Sequence, residues 1–150
     1  MPDKKTMQRV AQDKKEGKSA STQAGEFVRE EIEHIREGKH GARSTKQAIA
    51  IGLSKARRAG VDLPPPKKGK TSAETRRKAE RDSEAGAKAD HKVSKRRSRA
   101  VMHALEREPH AAASKTALSR QARSVAKQRS AASRSESARK AARTRQAAAR

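Results

Sequence analysis

The sequence is poor in the side chains that build a hydrophobic core. Among 150 residues there are only 18 Leu, Ile, Val, Met and Phe, there is no Trp or Tyr, and Phe27 is the single aromatic residue. Alanine, with 29 residues, supplies most of the apolar content but buries little surface per side chain. The small apolar surface that this chain can bury, combined with its high net charge, cannot offset the conformational entropy lost on folding the whole chain. We therefore expect order in only part of it.

Cysteine is absent, which excludes disulfide bonds and thiolate metal sites. The longest apolar run, Ala48 to Leu53, is too short to cross a bilayer, and the N-terminus does not have the pattern of a signal peptide. We expect a cytoplasmic protein. The sequence also has no phosphate-binding glycine loop, nucleophile motif or paired acids, so it predicts no enzyme activity, no cofactor and no small-molecule substrate.

Positive charge is abundant and unevenly distributed. The chain has 39 Lys and Arg against 17 Asp and Glu, a net charge of +22. Residues 1–66 hold 14 basic and 9 acidic residues, whereas residues 67–150 hold 25 and 8. Three consecutive prolines, Pro64 to Pro66, end the first part and favour an extended spacer. We predict a small helical module over residues 1–62, a Pro/Lys linker over 63–71, and a basic arm rich in Ala, Lys, Arg and Ser over 72–150.

Three short helices are predicted in the module. The first covers about residues 3–16, and the second runs from near Ser21 or Thr22 to Gly38. The third begins at Ser44, which forms a capping box with Gln47, and ends at Gly60 in the left-handed cap position.

The apolar residues of the second helix fall on one side of a 3.6-residue repeat: Phe27, Val28, Ile32 and Ile35. In the third, Ile49, Ile51 and Leu53 also alternate as in a strand, but the capping signals favour a helix.

The arm offers fewer signals. A charged helix over 72–84 should be solvated, because almost nothing in it can form a core. A helix over about 90–107, with apolar residues such as Val93 and Val101 at helical spacing, is the arm segment expected to fold onto another surface. Residues 109–150 contain eleven Lys and Arg and one acid, Glu136. The sequence thus predicts an all-α protein with a weak N-terminal module and a basic, largely disordered or conditionally helical C-terminal arm.

The stretch KQAIAIGLS, from Lys46 to Ser54, and the Gly-, Lys- and Arg-rich residues before it resemble a family of small basic bacterial proteins of unknown function. Members are often labelled DNA-binding or plasmid-stabilisation proteins, so the resemblance, over roughly residues 4–60, implies DNA association. The arm is separately similar to the Ala/Lys-rich tails of bacterial linker-histone-like proteins. Neither resemblance supplies catalytic residues.

The charge predicts nucleic acid as the partner, because cations that neutralise phosphates release condensed counterions. Duplex DNA is preferred over RNA, since single-stranded and RNA sites usually stack bases on aromatic residues. We predict sequence-independent DNA binding with a nucleoid-associated or DNA-compacting role. The predicted contacts are Lys46, Arg57, Arg58, Lys67, Lys68, Lys70, Arg76, Arg77, Lys95, Arg96, Arg97, Arg99, Arg120, Arg123, Lys127, Arg129, Arg134, Arg139, Lys140, Arg143, Arg145 and Arg150.

Other interpretations remain open. The protein could associate with RNA or the ribosome, or bind a protein partner through residues 24–60 while the arm supplies auxiliary DNA affinity. A membrane partner is disfavoured, because the apolar residues of the arm are mostly alanine. The second and third helices fit a helix-turn-helix with Lys46 and Gln47 in the groove, or a plain helical hairpin.

Two histidines lie close to acids in the second helix and the loop after it. Glu30 and His34 share a helical face, and His40 follows shortly after. A closed metal site needs more ligands in fixed geometry. We interpret these as surface residues and predict no metal site.

Overall fold

The computed structural model describes residues 2–88 and 94–149, and the fold of these residues is all-α, as predicted. The contacts divide it into two compact units, Met1–Ser114 and Lys115–Arg150. A short 3-10 helix, His110–Ala113, closes the first unit. The α-helices are α1 Lys4–Lys15, α2 Ala20–Arg36, α3 Thr45–Arg58, α4 Ala73–Ala87, α5 Lys95–Glu106, α6 Lys115–Gln128 and α7 Ala131–Ala148.

Serine caps set where α2 and α3 begin. Ser44 Oγ accepts a hydrogen bond from the Gln47 backbone N–H at 3.2 Å, as the predicted capping box requires. The Gln47 side chain accepts instead from the Arg43 N–H, at 2.8 Å. Ser19 caps α2, which therefore begins slightly before the predicted Ser21. Gly60 follows α3 with a φ of +86°, the left-handed conformation expected of it.

The core lies where α1, α2 and α3 meet, around the fully buried Phe27. Val10 of α1, Ala24 of α2 and Ala56 of α3 surround the ring, and Leu53 packs against this cluster. The helical prediction for Ala48 to Leu53 is confirmed, and the strand alternative is wrong, because all six residues lie inside α3.

Two backbones approach very closely at Gly52 of α3. A Cβ atom placed there would lie 2.6 Å from Val28 Cα of α2, well inside van der Waals contact. Only glycine permits this approach. The α2–α3 pair compensates for its few large side chains by bringing its backbones close together.

The helix predicted over residues 72–84 is present, but the prediction that it is solvated is wrong. The helix, α4, packs on α3 with Ala79 and Asp82 buried. Asp82 accepts hydrogen bonds from Ser54 Oγ and Arg58 Nε, both at 2.7 Å. A small residue and a paired carboxylate make this contact, which is why apolar periodicity does not reveal it.

Residues 105–113, which we call the docking segment, fold onto the α2–α3 loop. Gly41 N–H donates to Leu105 O at 2.8 Å, and Thr45 Oγ1 donates to Ala112 O at 2.7 Å. Ala113 is fully buried. The sequence predicts that the helix before Pro109 folds onto another surface, yet no described residue of α5 is buried. The start of that predicted helix, with Val93, lies outside the described residues.

The prediction of a largely disordered or conditionally helical arm is wrong, because residues 115–148 form α6 and α7. Ala, Arg, Lys and Gln have high intrinsic helix propensity. Ser130 caps α7 by accepting from the Ser133 N–H at 3.2 Å. These local interactions outweigh the charge repulsion on which the prediction rested.

Replacing Gly52 with alanine should lower the free energy of unfolding by about 2 kcal/mol, because the added methyl group forces α2 and α3 apart. Urea denaturation followed by circular dichroism measures this. Gly25→Ala is the matched control: Gly25 lies inside α2 with nothing within 4 Å of an added Cβ, so that variant should gain about 0.5–1 kcal/mol. Equal stability of the two variants would contradict the close approach.

Candidate nucleic-acid interface

Most of the predicted contact residues lie at the surface. Arg57 is buried, Arg76 is half-buried, and Arg150 lies outside the described residues. The exposed members are Lys46, Arg58, Lys67, Lys68, Lys70, Arg77, Lys95, Arg96, Arg97, Arg99, Arg120, Arg123, Lys127, Arg129, Arg134, Arg139, Lys140, Arg143 and Arg145.

Arg57 has a role inside the first unit. It is 7% exposed, and its guanidinium donates to Leu63 O at 3.3 Å and Pro64 O at 3.2 Å. Burial lowers the pKa of Arg57 below its ordinary value, while the charge of Asp82 opposes that shift. The side chain fixes the start of the Pro-rich segment against α3 and is turned away from any external phosphate.

Many cations of α1 to α4 are paired with acids. Arg58 Nε lies 2.7 Å from Asp82 Oδ1, and Arg76 Nε lies 2.9 Å from Glu80 Oε1. Arg29 pairs with Glu33 in the same way, and this hydrogen bond raises the pKa of Arg29. Acids thus neutralise much of the charge in this part of the chain.

The cations of α5 lack such partners. Lys95, Arg96, Arg97 and Arg99 are exposed in its first turns, and no ion pair involves any of them among the described residues. Cations at a helix N-terminus also oppose the helix dipole. An external anion at this end would relieve both the mutual repulsion and the unfavourable dipole interaction.

Basic and hydroxyl-bearing side chains line one exposed side of α6. Arg120, Arg123 and Lys127 recur at helical spacing, so they project from the same side. Every lining residue is either basic or carries a hydroxyl group: Lys115, Thr116, Ser119, Arg120, Arg123, Ser124 and Lys127. Such side chains are suited to donating hydrogen bonds to phosphate oxygens.

Two arginines of the second unit are occupied at the turn between α6 and α7. Arg134 Nη1 donates to Ala126 O at 3.2 Å and to Arg129 O at 3.0 Å. Arg129 Nη2 donates to Ser133 O at 3.0 Å and also contacts Ser137 Oγ. Their guanidinium groups stabilise the turn and are therefore less available to an external anion than the other basic side chains of these helices.

The N-terminus of α3, where a helix-turn-helix would read bases, is partly covered. Thr45 is buried under Ala112, and Gln47 uses its amide oxygen to accept from Arg43. Lys46 alone of the two predicted groove residues is exposed. The contacts favour the helical-hairpin interpretation of α2 and α3.

No helix in the described part of the chain is long and apolar enough to cross a membrane.

Arg57→Gln should lower the free energy of unfolding by about 2 kcal/mol, because the carbonyl oxygens of Leu63 and Pro64 lose the charged donor that the buried Arg57 side chain supplies. Arg123→Gln carries the same charge change at an exposed position and should leave stability unchanged. Chemical denaturation of both variants at one salt concentration gives the comparison. If Arg57→Gln is as stable as Arg123→Gln, the structural role of Arg57 is wrong.

Residues 4–68 match the model of a family of unknown function, DUF6496. The match covers α1, α2, α3 and the start of the Pro-rich segment, and its description names no activity. No curated protein and no solved structure matches the chain.

Proposed function

We propose that this protein binds duplex DNA without sequence preference, through phosphate contacts made by the basic residues of α5, α6 and α7. The supporting observation is that ion pairs are common in the earlier helices and rare in the later ones. Between Lys95 and Ala149, the described residues form a single ion pair, His103 with Glu106, whereas acids neutralise many cations of the earlier helices. Unpaired cations on exposed helices are free to exchange their counterions for phosphates.

Helix length is compatible with several phosphate contacts at once. With 14 residues, α6 is about 21 Å long, and with 18 residues α7 is about 27 Å long. Phosphates of one strand are spaced about 3.4 Å along the duplex axis, so α6 could lie alongside about six of them. Rigid helices also lose less conformational entropy on binding than a disordered arm would.

The chemistry of these side chains favours backbone contacts over base reading. A guanidinium group can donate two parallel hydrogen bonds to one phosphate, and the neighbouring hydroxyl groups of α6 donate further ones. Phosphates are the same at every step of the duplex, so such contacts carry no sequence information. Association with the bacterial nucleoid is the corresponding cellular role.

Duplex DNA is favoured over single-stranded nucleic acid because the protein has no exposed Phe, Tyr or Trp ring on which bases can stack. Phe27, the single aromatic residue, is fully buried in the core. Sites on single strands usually depend on aromatic stacking.

The test replaces three unpaired cations of α6: Arg120→Gln, Arg123→Gln and Lys127→Gln in one variant. If each contacts one phosphate, the slope of log affinity against log salt concentration should become shallower by about 2.7. Fluorescence anisotropy with a labelled duplex over a salt series measures it. The control combines Arg29→Gln, Lys39→Gln and Lys78→Gln, which removes the same net charge from exposed cations that are already ion-paired.

Equal slopes for the two triple variants would show that net charge alone, rather than unpaired helical cations, determines binding, and would overturn the proposed interface. Tighter binding to a structured RNA than to the duplex at the same salt would favour the RNA interpretation instead.

A further inference from the structure

A cluster of ionisable side chains is buried beside the α2–α3 loop. Glu30 is 2% exposed, Glu31 is fully buried, and His40 is 5% exposed. His34 and Lys55 border them. The interpretation of these acids and histidines as surface residues is therefore wrong. A chain with so few apolar residues places three ionisable groups together in its interior, and the DNA-binding proposal makes no use of them.

The two glutamates differ in how well they are satisfied. Glu30 Oε2 accepts from the Asp3 backbone N–H at 3.1 Å, and Oε1 accepts from Lys55 Nζ at 3.4 Å. Glu31 is approached by Lys55 Nζ, 2.7 Å from Oε2, and by His40 Nε2, 3.2 Å from Oε1. Neither approach has the direction of a hydrogen bond, and both buried oxygens lack a hydrogen-bond donor among the described residues. Buried carboxylate oxygens left in this state are costly.

The orientation of His40 is a second reason to expect a cation beside Glu31. Its Nδ1 lies 3.1 Å from the Gly41 carbonyl oxygen, which can only accept, so Nδ1 carries a proton. In the neutral ring, Nε2 then presents a lone pair to Glu31 Oε1, 3.2 Å away. Two lone pairs facing each other repel unless a positive charge lies between them or a second proton is added.

The charge count points the same way. Glu30 and Glu31 carry two negative charges, and Lys55 supplies one positive charge. Asp3 adds a further negative charge at the edge, where its Oδ2 accepts a hydrogen bond from His34 Nε2 at 3.2 Å. The cluster therefore keeps excess negative charge, although the protein as a whole is strongly basic.

We propose that Glu31, His34 and His40 form a binding site for a divalent transition-metal ion, with Zn²⁺ as the best match. One donor atom from each residue lies within 4.8 Å of the other two. Tetrahedral zinc with bonds of about 2.1 Å holds its ligand atoms about 3.4 Å apart. Glu31 Oε1 and His40 Nε2 are already separated by 3.2 Å.

The donor set fits the metal in kind as well as in spacing. Two imidazoles and one carboxylate are the ligands of many zinc sites that keep a fourth position for water. The Nδ1–H of His40 donates to a backbone carbonyl, the outer contact that usually orients a metal-bound histidine. Bound metal would add a second positive charge beside Glu31, at Oε1, and would connect α2 to the loop that carries His40.

The test is isothermal titration of the full chain with ZnCl2 in a buffer that does not chelate zinc. We expect one equivalent to bind with a dissociation constant in the micromolar range or below, and the melting temperature to rise. Glu31→Gln and His40→Gln should each weaken binding by more than about a hundredfold, beyond the usual effect of an outer-shell partner. The control is His103→Gln, which removes an exposed histidine and should bind zinc as the unaltered chain does.

Circular dichroism identifies any ligand variant that does not fold. In that case Co²⁺ absorption of the unaltered chain replaces the comparison, because a four- or five-coordinate site of nitrogen and oxygen ligands gives intense visible bands, whereas weakly bound aqueous Co²⁺ does not. Absence of zinc binding, equal binding by folded His40→Gln, or a Co²⁺ spectrum of the aqueous ion would each overturn the site. None of these results bears on DNA affinity.

Discussion

The close contact between Gly52 of α3 and Val28 of α2 is the constraint on which the first unit depends. With one phenylalanine and few other large apolar residues, helices held at an ordinary separation would leave the space between them unfilled. Close approach lets alanines such as Ala24 and Ala56 make effective packing contacts. The same principle recurs at Gly86 of α4, where a Cβ atom would lie 2.0 Å from Arg57 O. In this unit, small residues at close helix contacts provide the packing that Leu and Ile provide in a core with more large apolar side chains.

The acidic residues, like the small apolar ones, lie where they help to hold the first unit together. In α1 to α4, carboxylates such as Asp82 and Glu80 pair with arginines and help to join or stabilise helices. After Pro109 the sequence has a single acid, Glu136, so the second unit cannot neutralise itself. Its helices nevertheless form, since helix propensity and capping act locally and need no apolar core. The outcome is two exposed helices that carry uncompensated positive charge on a defined backbone.

The sequence was a good guide wherever one residue acts on its near neighbours. The cap at Ser44, the stop at Gly60 and the apolar side of α2 were all predictable, because each signal lies within a few residues of its effect. It was a poor guide to contacts between distant segments. Nothing in the sequence of Ala112 and Ala113 shows that they pack beside Thr45. Burial of Glu31 was likewise unpredictable, because acids on a helix usually face solvent. For the arm, the prediction of disorder is wrong because helix propensity and capping outweigh charge repulsion.

The docking segment also changes what the connection between α4 and α5 does. α4 is held on α3 through Gly86 and Asp82, and residues 105–113 are held on the α2–α3 loop. Residues 73–87 and residues 105–113 are therefore each held on the same helical hairpin by contacts of their own. A protease that cuts after Lys88 would produce two fragments, each still carrying its own attachment. The nicked protein should remain associated, so covalent continuity at this point is not what keeps the docking segment in place.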